Sequence, residues 1–173
     1  MFENPEIALD ELPAADNLEW QKLDARYVRR LQVQALMVTA VIAVGLLVLQ
    51  MMPLPIDRRL FGLAWALMLV IGLADLLWPL VSVPRKGYAI RDKDILYRSG
   101  VAWRTVTAVP FNRVQHVETS STPLDRRFAQ AGLQLFTAGG SGGDLKIHGM
   151  PADVAEHLRL FILEKAGGSP EHE

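Results

Sequence analysis

"FNRVQHVETSSTPLDRRFAQAGLQLFTAGG", residues 111–140, contains two alternating apolar runs separated by a polar break bearing Pro123. Alternation is the period of a half-buried strand, and a break rich in Ser, Thr and Pro is turn chemistry. The stretch therefore predicts one strand (113–119), a loop over "STPLDRRF" with Val114, Val117, Leu124 and Phe128 turned inward, and entry into a second strand (131–140). The glycines of "AGGSGGD" then form a turn leading into a third strand, "LKIHGM".

The same pattern extends in both directions. Upstream, "GYAIRDKDILYRSG" (87–100) reads as strand, turn and strand, and "TVTAVP" (105–110) is another short β-branched run. Downstream, "PADVAEHLRLFILEKAGG" begins with Pro and an early Asp and ends with Lys165 and a glycine pair, which are helix-boundary signals. Val154, Ala155, Leu158, Phe161 and Ile162 recur on one helical face. Residues 84–166 thus predict a small antiparallel β-barrel or roll capped by a C-terminal helix, with 167–173 as a flexible tail.

Before this domain the composition changes. Between Leu31 and Val83 the charges are Asp57, Arg58, Arg59 and Asp75 alone. "LQVQALMVTAVIAVGLLVLQMM" (31–52) is uncharged and reaches about 33 Å as a helix, enough to cross a bilayer. A second span follows at 60–83, and the short connection "PLPIDRR" predicts an antiparallel hairpin. Lys22, Arg26, Arg29 and Arg30 precede the hairpin, while Arg85, Lys86, Arg91 and Lys93 follow it. This excess puts both termini on the cytoplasmic side. Trp20, Tyr27 and Trp78 have the placement of headgroup-level aromatic anchors.

Residues 1–30 read as an acidic flexible tail followed by an interfacial helix over 16–30. Asp16 and Glu19 have capping-box spacing there, and Trp20, Leu23 and Tyr27 share a face. Asp75 is the ionisable group inside the second span. Folding the hairpin sets it within about a turn of Gln34 and Thr39, where it is expected to pin the helices or meet a partner subunit.

Net charge is −1, with no overall basic excess of the kind nucleic acid requires. Residues 1–30 balance to −3 (seven acids, four bases) and 84–173 to +2 (ten acids, twelve bases). Without cysteine there are no disulfides or thiolate metal sites, and an acidic, polar N-terminus predicts no cleavable signal.

Residues 111–140 are similar to the signature of the bacterial pleckstrin-homology family, in its YdbS-like membrane-anchored branch. The resemblance rests on Arg113-Val114-Gln115, on Pro123-Leu124 with Arg126, Arg127 and Phe128, on Ala131-Gly132-Leu133, and on Thr137-Ala138-Gly139-Gly140. "LDARY" (23–27) resembles the family's juxtamembrane segment, so the likeness covers roughly 20–165. It implies an α+β membrane protein of the bacterial cytoplasmic membrane, a hairpin followed by one such domain, and an association with tolerance of membrane-active peptides. Asp125 beside the two arginines departs from the pattern and lowers the positive potential of that loop.

No histidine–serine arrangement supports nucleophilic catalysis, and His148 and His157, nine residues apart, do not have the spacing of a zinc site. "TAGGSGGD" lacks the Lys-Ser/Thr ending of a P-loop. The expected function is therefore non-catalytic, without metal or cofactor: a scaffold or subunit that binds a membrane protein or a copy of itself. Candidate contacts are Arg85, Lys86, Arg91, Arg113, Arg126 and Arg127, one of the last two pairing with Asp125 or Glu118, with Asp75 as an intramembrane polar contact. The alternatives are a module reading anionic headgroups with Arg85 through Arg104, and a transport accessory subunit using Asp75.

Overall fold

The computed structural model describes residues 18–53, 55, 57–138 and 145–167. The expected N-terminal tail, the glycine turn after Ala138 and the C-terminal tail lie outside these residues.

Two long helices come first, α1 (Arg26–Met51) and α2 (Arg58–Ser82). The Asp57 side chain caps α2 by accepting from the Arg59 backbone N–H at 2.9 Å. They pack as a hairpin. Gln32 donates to the Leu76 carbonyl (3.4 Å) and Trp65 to Gln50 (3.2 Å), and the Gly72 backbone lies close against Thr39. Their large side chains point outward on all sides: Val41 is 72% and Leu63 67% exposed. A helix apolar all round has no solvent-facing stripe.

The interfacial helix expected over 16–30 is not formed. Gln21–Lys22 is instead a strand, β1, and the chain turns at Asp24 before α1 begins at Arg26. Tertiary contacts override the helical spacing: Leu23 and Tyr27 are buried in the core of the following domain rather than on an interfacial face. Tyr27 is therefore not a headgroup anchor.

The domain contains two antiparallel sheets. One has the order β1–β2–β3–β4, with β2 Gly87–Ile90, β3 Asp94–Ser99 and β4 Thr105–Pro110. The other is β5 (Val114–Ser120), β6 (Gln130–Thr137) and β7 (Leu145–Pro151). They do not join into the closed barrel the strand spacing suggested. A 3-10 turn, Phe111–Arg113, follows Pro110, which has no N–H to extend a ladder, and it redirects the chain between the sheets.

The helix α4 (Ala152–Gly167) covers the sheets along the stripe read from sequence, with Ala155 and Ile162 fully buried and Leu158 nearly so. Phe161 packs edge-to-face on Phe111 (5.9 Å between centroids). Ile95, Leu133, Leu135, Ile147, Met150 and Ile162 form the solvent-free centre. Each such side chain contributes about 1.5–3 kcal/mol on burial.

The expected "STPLDRRF" loop contains a short helix, α3 (Pro123–Arg127). Thr122 Oγ1 accepts from the Asp125 N–H (3.1 Å) while Asp125 Oδ2 accepts from the Thr122 N–H (2.9 Å), a reciprocal capping box. Asp125 pairs with neither neighbouring arginine. It accepts from Arg30 of α1 at 2.7 Å, because α3 is packed against the base of that helix.

Candidate functional site

The hairpin and the domain meet at a joint packed against both helices. On the α2 side Pro79, Ser82 and Val83 are buried, a 3-10 turn (Val83–Arg85) follows, and β2 starts at Gly87. On the α1 side, β1 pairs with β2 (Gln21↔Tyr88, Lys22↔Gly87). Trp20, just before β1, lies under the Arg98 guanidinium, 4.6 Å from its ring centroid. Arg98 sits on β3 opposite Gly87 and Val106.

The loop from β3 to β4 turns tightly. Gly100 has φ +110°, and a Cβ there would lie 1.7 Å from the Trp103 carbonyl oxygen, so only glycine fits. This turn presents Trp103 at 86% exposure and returns Arg104 toward the joint.

Between loop and joint lies a pocket of about 460 Å³ lined by Trp20, Arg85, Arg98, Arg104, Thr105 and Val106, among others. Its lining carries three guanidinium groups and no carboxylate. Arg85 donates to the Val81 carbonyl, and the Arg98 Nε is out of solvent without an acceptor among the described residues. An N–H out of solvent without an acceptor is costly, so a group entering this pocket gains by offering an acceptor, and three guanidinium groups suit a negatively charged one. Val106, exposed, gives it an apolar edge, and Trp103, exposed on the same loop, immediately precedes the lining residue Arg104.

The other basic candidates are dispersed. Arg91 is held by Asp94 (2.6 Å) at the β2–β3 turn, and Lys165 bridges to Asp92 beside it. Burial pushes the ammonium of half-buried Lys86 below its ordinary value. Arg113 is exposed at the end of its 3-10 turn, and Arg126 donates to the Ser121 carbonyl at 3.2 Å. Arg127 lines a separate groove with Arg26, Val33, Leu124 and Phe128. Glu118 bonds His116 (3.1 Å), not an arginine. Burial raises the Asp125 carboxyl, but the Thr122 hydrogen bonds and the Arg30 charge outweigh it and hold it below the usual carboxylate range. That spends its charge away from the arginines beside it in sequence.

Asp75 lines two grooves of the hairpin. One, about 280 Å³, is apolar except for Thr39; the other includes Gln34, Trp78 and Pro79. Pro79 cannot donate to the Asp75 carbonyl four residues back, and no hydrogen bond reaches the carboxylate from the described residues. Among the described residues no three His, Asp or Glu side chains are grouped to hold a metal.

Sequence reasoning placed Arg85, Arg98 and Arg104 in one basic flank but missed Trp20 as their companion and Trp103 as the exposed residue of the loop that supplies Arg104. The available signal was "SGVAWR" (99–104), a glycine turn carrying an aromatic between two strands.

The family model described as bacterial PH domain matches residues 27–166. No curated protein matches the chain. Among solved structures, a DUF1696 family protein with a pleckstrin-homology domain from Shewanella loihica is similar at 18% identity and TM-score 0.36, covering 54% of this chain and 93% of that one. A pleckstrin homology domain from Shewanella amazonensis is similar at 18% identity and TM-score 0.38, covering 54% and 85%.

Proposed function

This chain belongs to the bacterial PH domain family, and from that premise we propose that it is a membrane-anchored, non-catalytic member of the YdbS-like type. Its hairpin spans the bacterial cytoplasmic membrane with both termini inside. The domain is an interaction module for a membrane protein partner or a second copy of the chain, held at a fixed attitude to the bilayer.

The observation that carries this reading is the pairing of an all-round apolar hairpin with a joint that packs the domain on both helices. Both helices are long and apolar enough to cross a membrane, and almost none of their apolar surface is buried within the chain. A soluble core helix would be buried, and exposed apolar area of this extent calls for lipid or a partner. The β1–β2 pairing, the buried turn after α2 and the Arg30–Asp125 pair hold the domain to both helices. Asp75, exposed and without a hydrogen-bond or ion-pair partner among the described residues, supports an intramembrane contact with another subunit.

The test is extraction of the intact protein from its native membrane in mild detergent, followed by native mass spectrometry. A second protein, or a second copy, in fixed stoichiometry through moderate salt is the expected result. Release from the membrane by alkaline carbonate would overturn the anchored reading, and a lone chain would overturn the scaffold reading.

A further inference from the structure

We propose that the pocket formed by Trp20, Arg85, Arg98 and Arg104 binds the phosphate of an anionic phospholipid headgroup, with Trp103 inserted beside it at the bilayer surface. The proposal rests on the anchored reading above.

Three observations converge. The first is position: Arg85 lies three residues beyond the end of α2 and lines the same pocket as Arg104, so the β3–β4 loop stands level with the end of the span. The second is charge. The three arginines face no carboxylate in the lining, whereas Arg91, Arg30 and Lys165 each hold an Asp. Guanidinium groups suit phosphate oxygens because their planar forks donate two parallel hydrogen bonds, and stacking on Trp20 fixes the Arg98 plane.

The third is the exposed apolar surface of the β3–β4 loop that supplies Arg104. Trp103 is more exposed than any other large apolar residue among the described ones, and Val106, 57% exposed, lies beside the arginines. An apolar, indole-bearing edge next to cations is disfavoured against bulk water but matches the headgroup layer, where Trp is enriched. A soluble anion or an acidic protein would need the cations but not an inserted indole. The Gly100 turn packs against the Trp103 backbone and so fixes the course of the loop that carries this side chain.

The full-length protein in mild detergent would be titrated with short-chain phosphatidylglycerol, and separately with short-chain phosphatidylcholine, the bound species being counted by native mass spectrometry. One phosphatidylglycerol site is expected, with much weaker phosphatidylcholine binding. Each arginine near an anionic surface is worth a factor of about five, so R85Q/R104Q should weaken that site at least about tenfold. Both positions are exposed, and unchanged thermal unfolding of this variant would separate lost binding from lost fold. The charge-matched control R113Q/R126Q should stay within about twofold, and W103A should weaken the site severalfold.

Equal weakening by both double variants would reduce the pocket to general surface charge and overturn the proposal, as would equal binding of the two lipids. Displacement of phosphatidylglycerol by equimolar inorganic phosphate would assign the pocket to a free anion. Loss of a co-purifying acidic protein in R85Q/R104Q, without any change in lipid binding, would assign it to a protein. Carbonate release from membranes fails the anchored reading whatever the titration gives, while a missing lipid site in a carbonate-resistant protein fails the pocket alone.

Discussion

The Tyr27 ring rests directly on the Cα of Gly149: a Cβ built on that glycine would lie 2.2 Å from the ring's Cγ. The contact joins the first turn of α1 to β7, and the Asp24 N–H donates to the Gly149 carbonyl (3.1 Å) at the same point. Gly149 also has φ +78°, so its backbone conformation and the ring above it both require glycine. The helix thus enters the domain's core through one aromatic side chain.

Gly149→Ala should accordingly destabilise the protein by about 2–5 kcal/mol, combining left-handed strain with overpacking. Thermal unfolding in detergent checks this, with Gly62→Ala as the control. Nothing lies within 4 Å of a Cβ at Gly62, so that variant should melt at or slightly above the parent temperature.

Asp125→Ala removes both the capping box of α3 and the tie to Arg30. The expected loss at neutral pH is about 1 kcal/mol for the cap and under about 1 kcal/mol for the ion pair. The folded-state carboxyl lies below its unfolded value of about 3.9, so its contribution is complete above that pH and fades as pH falls through the folded value. The difference between parent and variant should therefore shrink below about pH 4, as a series of melts against pH would show.

At the alkaline end, burial pushes the Tyr97 phenol up to about 12 and raises that of Tyr88 as well. A raised folded value means stability is intact below the ordinary phenol range near 10 and is lost as pH rises toward 12. Phenolate absorbance should lag behind that of the denatured chain. Tyr97→Phe should flatten the alkaline loss.

The chain has no cysteine, so single introduced thiols report topology cleanly. In whole cells an impermeant maleimide should label Asp57→Cys, at the hairpin tip, and should reach Asp92→Cys only after permeabilisation. The reverse pattern would invert the proposed orientation.

An exposed Asp75 predicts a split response. A charge in a span costs about 2.5–3.5 kcal/mol to insert, so Asp75→Leu should enter membranes at least as readily as the parent. It should nevertheless lose at least about tenfold in recovery of the partner subunit. Asp75→Asn, which keeps hydrogen-bonding capacity, should retain most of it.

Local features were legible in the sequence because each is written in a few consecutive residues. The strand alternations, the C-terminal helical stripe and the two long apolar runs all correspond to elements in the structure. The short helix α3 was missed because its Thr122–Asp125 capping box has Asp where the common pattern has Glu, within a stretch of turn-forming residues. The interfacial helix was misread because Trp20, Leu23 and Tyr27 do recur at helical spacing. Pairing with β2 and burial against Gly149 outweigh that propensity.

By itself, then, the sequence determined the order and type of the main elements, the apolar hairpin, and the absence of thiol chemistry, since periodicity and composition act over one or two turns. Tertiary structure alone decided that Arg30 rather than Arg126 or Arg127 neutralises Asp125, and that Arg85, Arg98 and Arg104 converge around Trp20. Those groups are separated by many residues along the chain, and only the packing of α1 and the two sheets fixes the few ångströms on which charge pairing depends.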